Sequence, residues 1–164
     1  IMLKTLLSVF LLTLFVKAPP TTGQTESIKW LTWDEGYVKG KKTNKIILID
    51  MYTDWCGWCK RMDRDTYAKA EIIKIINKDF IPIKFNPEKN LTYDVDGSKI
   101  TGRQLSGLLA NQRSVGYPST FFLFPKLKKV YLESGYQNAE RFKQTLIKYK
   151  DLKIEEEKIQ KNAN

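Results

Sequence analysis

The sequence predicts an α/β fold, a three-layer sandwich in which helices cover both faces of a central mixed sheet. Three observations carry that prediction. A non-alternating apolar run from Lys45 to Tyr52, rich in β-branched residues, is followed by a long helix-period segment and a second apolar run, Phe80 to Phe85, giving a βαβ pattern. Two more apolar runs, Thr120 to Phe124 and Lys129 to Leu132, are separated by only four residues, the spacing of an antiparallel hairpin. Amphipathic segments before the first strand and after the last then supply further helices to cover the sheet. With 42% hydrophobic and 12% aromatic residues in 164, the composition supports one packed core and excludes a disordered chain.

Each element has a local reason. Trp30, Trp33, Tyr37 and Val38 fall at helical spacing, which predicts a helix from Trp30 to Lys42 ending near Gly40. The Lys45 to Tyr52 run lacks alternation because a central strand is buried on both sides. From Cys56 the pattern turns helical through Met62, Tyr67, Ile72, Ile73, Ile75 and Ile76, with a kink expected near Thr66. In the Phe80 to Phe85 strand, Pro82 lacks a donor and so restricts which edge can pair. The first two strands are expected to be parallel with a right-handed crossover. Asn86 to Ser114 reads as an excursion, with turn signals at Asp96-Gly97 and Thr101-Gly102 and a short helix around Arg103 to Asn111. Gly135 ends the hairpin, and Asn138 is a candidate cap for a last helix with Phe142, Leu146 and Tyr149 on one face. The charged segment after Lys150 either prolongs that helix or is disordered.

Lys4 precedes an apolar run, Leu6 to Val16, of about half the ~20 residues needed to span a membrane, and a short polar stretch follows. Residues 1–23 are therefore expected to be a signal peptide, with an uncleaved anchor helix as the alternative. No cysteine stands at the end of the run to take a lipid. The remaining organisation is one domain over 24–150 and a charged tail over 151–164, in an exported, periplasmic and monomeric protein. The formal net charge of +10 comes from lysines scattered along the chain, without an arginine patch or an aromatic-interleaved stripe. That distribution describes a solvated basic surface and argues against nucleic acid as a partner.

Cys56-Gly57-Trp58-Cys59 holds the only two cysteines and lies where the buried strand gives way to a helix. A thiol at a helix N-terminus meets free backbone N–H groups and the positive end of the dipole, both of which favour thiolate. This makes Cys56 the candidate nucleophile, and Cys59, one turn on, the candidate resolving thiol. A zinc site would need ligands that a chain without histidine and with two cysteines lacks, so no metal is expected. Haem attachment needs histidine where Lys60 stands. A purely structural disulfide stays open as an alternative, although closing so short a loop removes little chain entropy.

The stretch from Ile47 through Asp50, Asp54, Trp55, Cys56 and Cys59 to Lys60 resembles the active-site strand and helix of thioredoxins. Its Asp-Trp-Cys-x-x-Cys-Lys pattern is similar to that of the periplasmic C-terminal domain of the membrane disulfide-interchange reductase, and Gly116 to Thr120 resembles the family's cis-proline loop. The resemblance implies a thioredoxin fold over 24–150 and a thiol-disulfide oxidoreductase whose only redox group is the Cys56–Cys59 disulfide, with no added cofactor. It implies that Asp50 exchanges a proton with Cys59 and that Lys84 tunes Asp50. It also implies that Trp55, Gly57, Trp58, Tyr117 and Pro118 meet substrate. Protein disulfides would be the substrates, reduced with electrons from a membrane thiol transporter; the alternatives are a disulfide oxidase or isomerase, or a redox-inert binding module of the same fold. Trp58 stands where thioredoxins have proline, and the excursion is longer than the family's usual connection.

Overall fold

The computed structural model describes residues 26–163; the expected signal peptide lies outside them. The elements run α1 (Trp33–Thr43), β1 (Ile46–Met51), α2 (Gly57–Met62), a π-helical turn (Asp63–Tyr67), α3 (Ala70–Asp79), β2 (Phe80–Phe85), β3 (Thr92–Val95), β4 (Ser98–Thr101), α4 (Gly102–Leu109), β5 (Ser119–Phe124), β6 (Lys129–Ser134) and α5 (Ala139–Asn162). The main sheet has the order β2-β1-β5-β6. β1 is parallel to β2 and antiparallel to β5, and β5 pairs antiparallel with β6. Pro82 thus sits on an edge strand, as its missing donor requires.

Every residue of β1 is buried, and its side chains divide between two cores. Ile46 and Leu48 join Met62, Tyr67, Ile72, Phe122, Phe142 and Leu146 on the side of α2, α3 and α5. Ile47, Ile49 and Met51 join Trp33, Ile83, Phe85, Tyr93 and Leu105 on the side of α1 and α4. Each large apolar side chain so buried contributes roughly 1.5–3 kcal/mol. Asp50, the polar residue of the strand, has the parity of Ile46 and Leu48 and meets Tyr67 of the π-helical turn on that side. Among the described residues no helix is long and apolar enough to cross a membrane.

Three local expectations are corrected. The first helix starts at Trp33 because Leu31 adds to the outer edge of β2, its N–H donating to the Pro82 carbonyl and its own carbonyl accepting from Lys84. Thr32 and Glu35 then form a capping box, and the helix continues past Gly40 until Asn44 turns left-handed at φ 53°. Thr101-Gly102 is no turn: Thr101 caps α4 through a second box with Gln104. The excursion also contains a β3–β4 hairpin, whose turn is made by Asp96 and Gly97, both at positive φ. That hairpin is fastened to α1 by hydrogen bonds from Trp33 Nε1 to the Asp94 carbonyl and from the Asp94 N–H to Asp34.

The expected kink is a real discontinuity. After α2, the chain makes the π-helical turn and leaves helical geometry at Lys69 before α3 begins. The buried Thr66 hydroxyl donates to the Gln137 carbonyl at 2.6 Å, tying this turn to the start of α5. Asn138 caps α5 by accepting from the Arg141 N–H, and the helix runs unbroken for 24 residues, so the charged segment is helical. Ion pairs between Lys150 and Asp79 and between Lys129 and Glu156 hold it to the body of the domain.

Candidate active site

The turn between β1 and α2 places the cysteines. The Cys56 N–H donates to the Thr53 carbonyl, closing a turn that sets Cys56 in extended geometry as the N-cap of α2. Its sulfur accepts from the Cys59 N–H at 3.1 Å, and the two residues form a disulfide with Cα atoms 5.3 Å apart. Both are nearly covered, at 4% and 3% exposure, so exposure does not distinguish them. Position does: only Cys56 occupies the cap, where orphan N–H groups favour a negative sulfur.

The expected substrate-contacting residues gather around the disulfide in two aromatic groups. Trp55, 67% exposed, meets the Tyr117 ring edge-on at 5.7 Å, which joins the cysteine turn to the loop before β5. The Tyr117–Pro118 peptide is cis, and the buried Pro118 accepts from the Gly135 N–H through its carbonyl. Trp58, 54% exposed, lies against Tyr136, and the Arg61 guanidinium covers both rings at 5.1 and 5.5 Å. Gly57 is exposed between them, with no atom within contact distance of where a Cβ would stand.

Sequence reasoning left the start of the excursion without a role, and the structure gives it one. Glu88 accepts from Trp55 Nε1 at 2.9 Å, while Lys89 and Asn86 bind the Asp54 carboxylate at 2.7 and 3.3 Å. The two residues before Cys56 are therefore both held by residues 86–89.

Asp50 and Lys84 form a second cluster. They face each other across the β1–β2 ladder, with Lys84 Nζ 2.6 Å from Asp50 Oδ2. Lys84 also pairs with Asp63 at 2.5 Å, and its ammonium lies over the rings of Trp30, Tyr52 and Tyr67 at 4.9–5.4 Å. Tyr67 donates to the other Asp50 oxygen at 3.2 Å. Burial raises the Asp50 carboxyl above the usual carboxylate range, and the Lys84 charge only partly opposes it. Burial pulls Lys84 down, yet its two carboxylates win and hold it above an ordinary lysine. The Tyr67 phenol is pushed well up by burial and by Asp50. Sequence reasoning missed Asp63 and Tyr67; the available signal was their spacing, four and eight residues beyond Cys59 in the helix-period segment that follows it. The Asp63 N–H donates to the Cys59 carbonyl, which links the two clusters through one helical turn. Among the described residues no group of three or more His, Cys, Asp and Glu is placed to hold a metal.

A cysteine pair capping a short helix beside a cis-proline loop is a thioredoxin-like arrangement, and the family model Thioredox_DsbH, described as a protein of unknown function (DUF255), matches residues 21–163. The chain belongs to this DsbH family. Solved structures similar to this DsbH-family chain include a thioredoxin from Thermus thermophilus, with TM-score 0.57 at 15% identity over 75% of this chain and 87% of that one. A DsbH oxidoreductase gives TM-score 0.55 at 18% identity, covering 73% and 82%. A disulphide isomerase from Xylella fastidiosa gives 0.54 at 19%, covering 71% and 86%. At such identities these likenesses show the thioredoxin fold. Among curated proteins, Spermatogenesis-associated protein 20 of Homo sapiens is 28% identical over 102 residues, 62% of this chain and 12% of that protein. An uncharacterized protein of Caenorhabditis elegans is 30% identical over 104 residues, 63% and 13%. The DsbH-family chain thus spans about an eighth of the length of these relatives.

Proposed function

We propose that this chain is an exported thiol-disulfide oxidoreductase that reduces protein disulfides. The observation that carries the reading is the N-cap position of Cys56, whose sulfur accepts the Cys59 N–H at the start of α2. In the reduced protein the Cys56 thiolate attacks one sulfur of a substrate disulfide; a new S–S bond forms and the other substrate sulfur leaves as a thiolate. Cys59 then gives its proton to ionised Asp50 and attacks the Cys56 sulfur, which releases the second substrate thiolate and leaves the Cys56–Cys59 disulfide. Two electrons pass to the substrate, and a membrane thiol transporter restores them. Trp55, Trp58 and Tyr117 supply an aromatic rim for the substrate, and the Leu6 to Val16 run supports export. The alternative direction, oxidation or isomerisation, is open to the same dithiol.

Cys59→Ala in the exporting cell is the test. Loss of the resolving thiol is expected to accumulate mixed disulfides on Cys56, sensitive to reductant and absent from the Cys56→Ser, Cys59→Ala double variant. No trapped species, together with insulin reduction unchanged by Cys56→Ser, would overturn the reading. Equilibration with glutathione reads the direction: a potential nearer the roughly −270 mV of thioredoxin than the roughly −120 mV of strong oxidants is expected.

A further inference from the structure

The Asp50–Lys84 pair contains a difficulty that its geometry also resolves. If Asp50 takes the Cys59 proton, Lys84 loses its buried counter-ion, and an ammonium only 21% exposed would be left facing a neutral acid. Asp63 stands 2.5 Å from the same Nζ, with its carboxylate 47% exposed. We propose that Asp63 is a second counter-ion for Lys84, positioned so that Asp50 can accept the Cys59 proton without stranding a buried positive charge. This rests on the oxidoreductase reading and adds to it a positioning residue that never touches substrate.

The surroundings support a shared ammonium. Three ring faces already stabilise the cation from Trp30, Tyr52 and Tyr67, so Lys84 stays charged whichever carboxylate it favours. The titratable groups facing it are Asp50 and Tyr52 from β1 and its end, and Asp63 and Tyr67 from the π-helical turn. Glu26 comes from the chain before α1, in a cleft of about 680 Å³ lined also by Ile28, Trp30, Asp63, Tyr67 and Lys84. None of Trp55, Trp58 or Tyr117 lines that cleft. Lys84 and Asp63 therefore open onto a cleft separate from the aromatic rim at the disulfide, while Asp50 lies buried behind Lys84.

Carboxyl carbon NMR of the full, reduced chain tests the inference by following Asp50 with pH in wild type, Asp63→Asn, Asp63→Glu and Lys84→Gln. Asp63→Asn is expected to move Asp50 protonation to lower pH by about half a unit or more, while Asp63→Glu leaves it near wild type. In the Lys84→Gln background the Asp63→Asn shift is expected to fall below half its former size, because the coupling runs through the ammonium. An Asp50 titration unmoved by Asp63→Asn overturns the proposal. So does an equal shift in both lysine backgrounds, which would mean direct repulsion between the two carboxylates. Near-UV circular dichroism verifies folding, and the charge-retaining Asp63→Glu gives a second reading of the same site. The titration is read whether or not the chain reduces disulfides, so its failure is separate from failure of the trapping experiment.

Discussion

Replacing Lys84 by Met removes the cation from beside Asp50 while keeping an unbranched apolar stem. Asp50 is 2% exposed, and without Lys84 its ionised form retains only the Tyr67 hydroxyl at 3.2 Å. Breaking a buried pair in this way costs about 3–5 kcal/mol while the stranded partner stays charged. Asp50 can escape by taking a proton, since burial already raises its carboxyl and the remaining opposition comes mainly from Lys84. A folded-state value above the unfolded one means that the folded protein binds more protons, so stability falls as pH rises through that window. Lys84→Met widens the window upward. Its destabilisation is expected to be about 3–5 kcal/mol at pH 8 and to shrink toward the ~1 kcal/mol or less of the half-exposed Asp63 pair near pH 4. Urea unfolding of wild type and variant at pH 4, 6 and 8 measures the difference, with unchanged m-values as the control. A destabilisation equal at pH 4 and pH 8 would refute the reasoning, as would a variant as stable as wild type at pH 8.

Gly36 lies on the face of α1 against the sheet, where an added Cβ would come 2.4 Å from Ile83 Cγ1. Gly36→Ala gains about 1 kcal/mol of helix propensity but overpacks a fully buried Ile83 at about 1–3 kcal/mol, so a net loss of up to ~2 kcal/mol is expected in thermal or urea unfolding. Adding Ile83→Val, which removes the Cδ1 atom 2.6 Å from that Cβ, is expected to recover part of the loss beyond simple additivity. Burial, with the hydrogen bond and charge of Glu156, pushes the Tyr131 phenol up to about 12. Truncation after residue 150 is expected to return it toward 10, read from tyrosinate absorbance as the difference from a Tyr131→Phe control.

The sheet was legible because buried strands advertise themselves: β1, β2 and β5 are short apolar runs whose ends fall within a residue or two of the observed ones. The cysteine turn and the cap at Asn138 were legible because their chemistry is local. The β3–β4 hairpin was not, since Thr92-Tyr93-Asp94-Val95 buries only Tyr93 and leaves no apolar run to count. Its Asp96-Gly97 turn was the one visible mark. Spacing alone places Trp30 in the first helix, while the hydrogen bonds that pull Leu31 onto β2 reach Pro82 and Lys84, far along the chain. The same distance hides Asp63 and Glu88, whose partners Lys84 and Trp55 lie 21 and 33 residues off and meet them only once the crossover is built.

The break between α2 and α3 has an electrical meaning. Had residues 57–79 formed one rod, Cys56 would have capped a column of aligned peptide dipoles more than twenty residues long. The π-helical turn continues the column as far as Tyr67, and the non-helical Lys69 then ends it before α3, so the field at the sulfur comes mainly from the first few N–H groups of α2 and from nearby side chains. The peptide dipoles of Ala70–Asp79 are thereby taken out of line with Cys56, and the electrostatics of the cap is left to its own first turn and to side chains brought in from other elements.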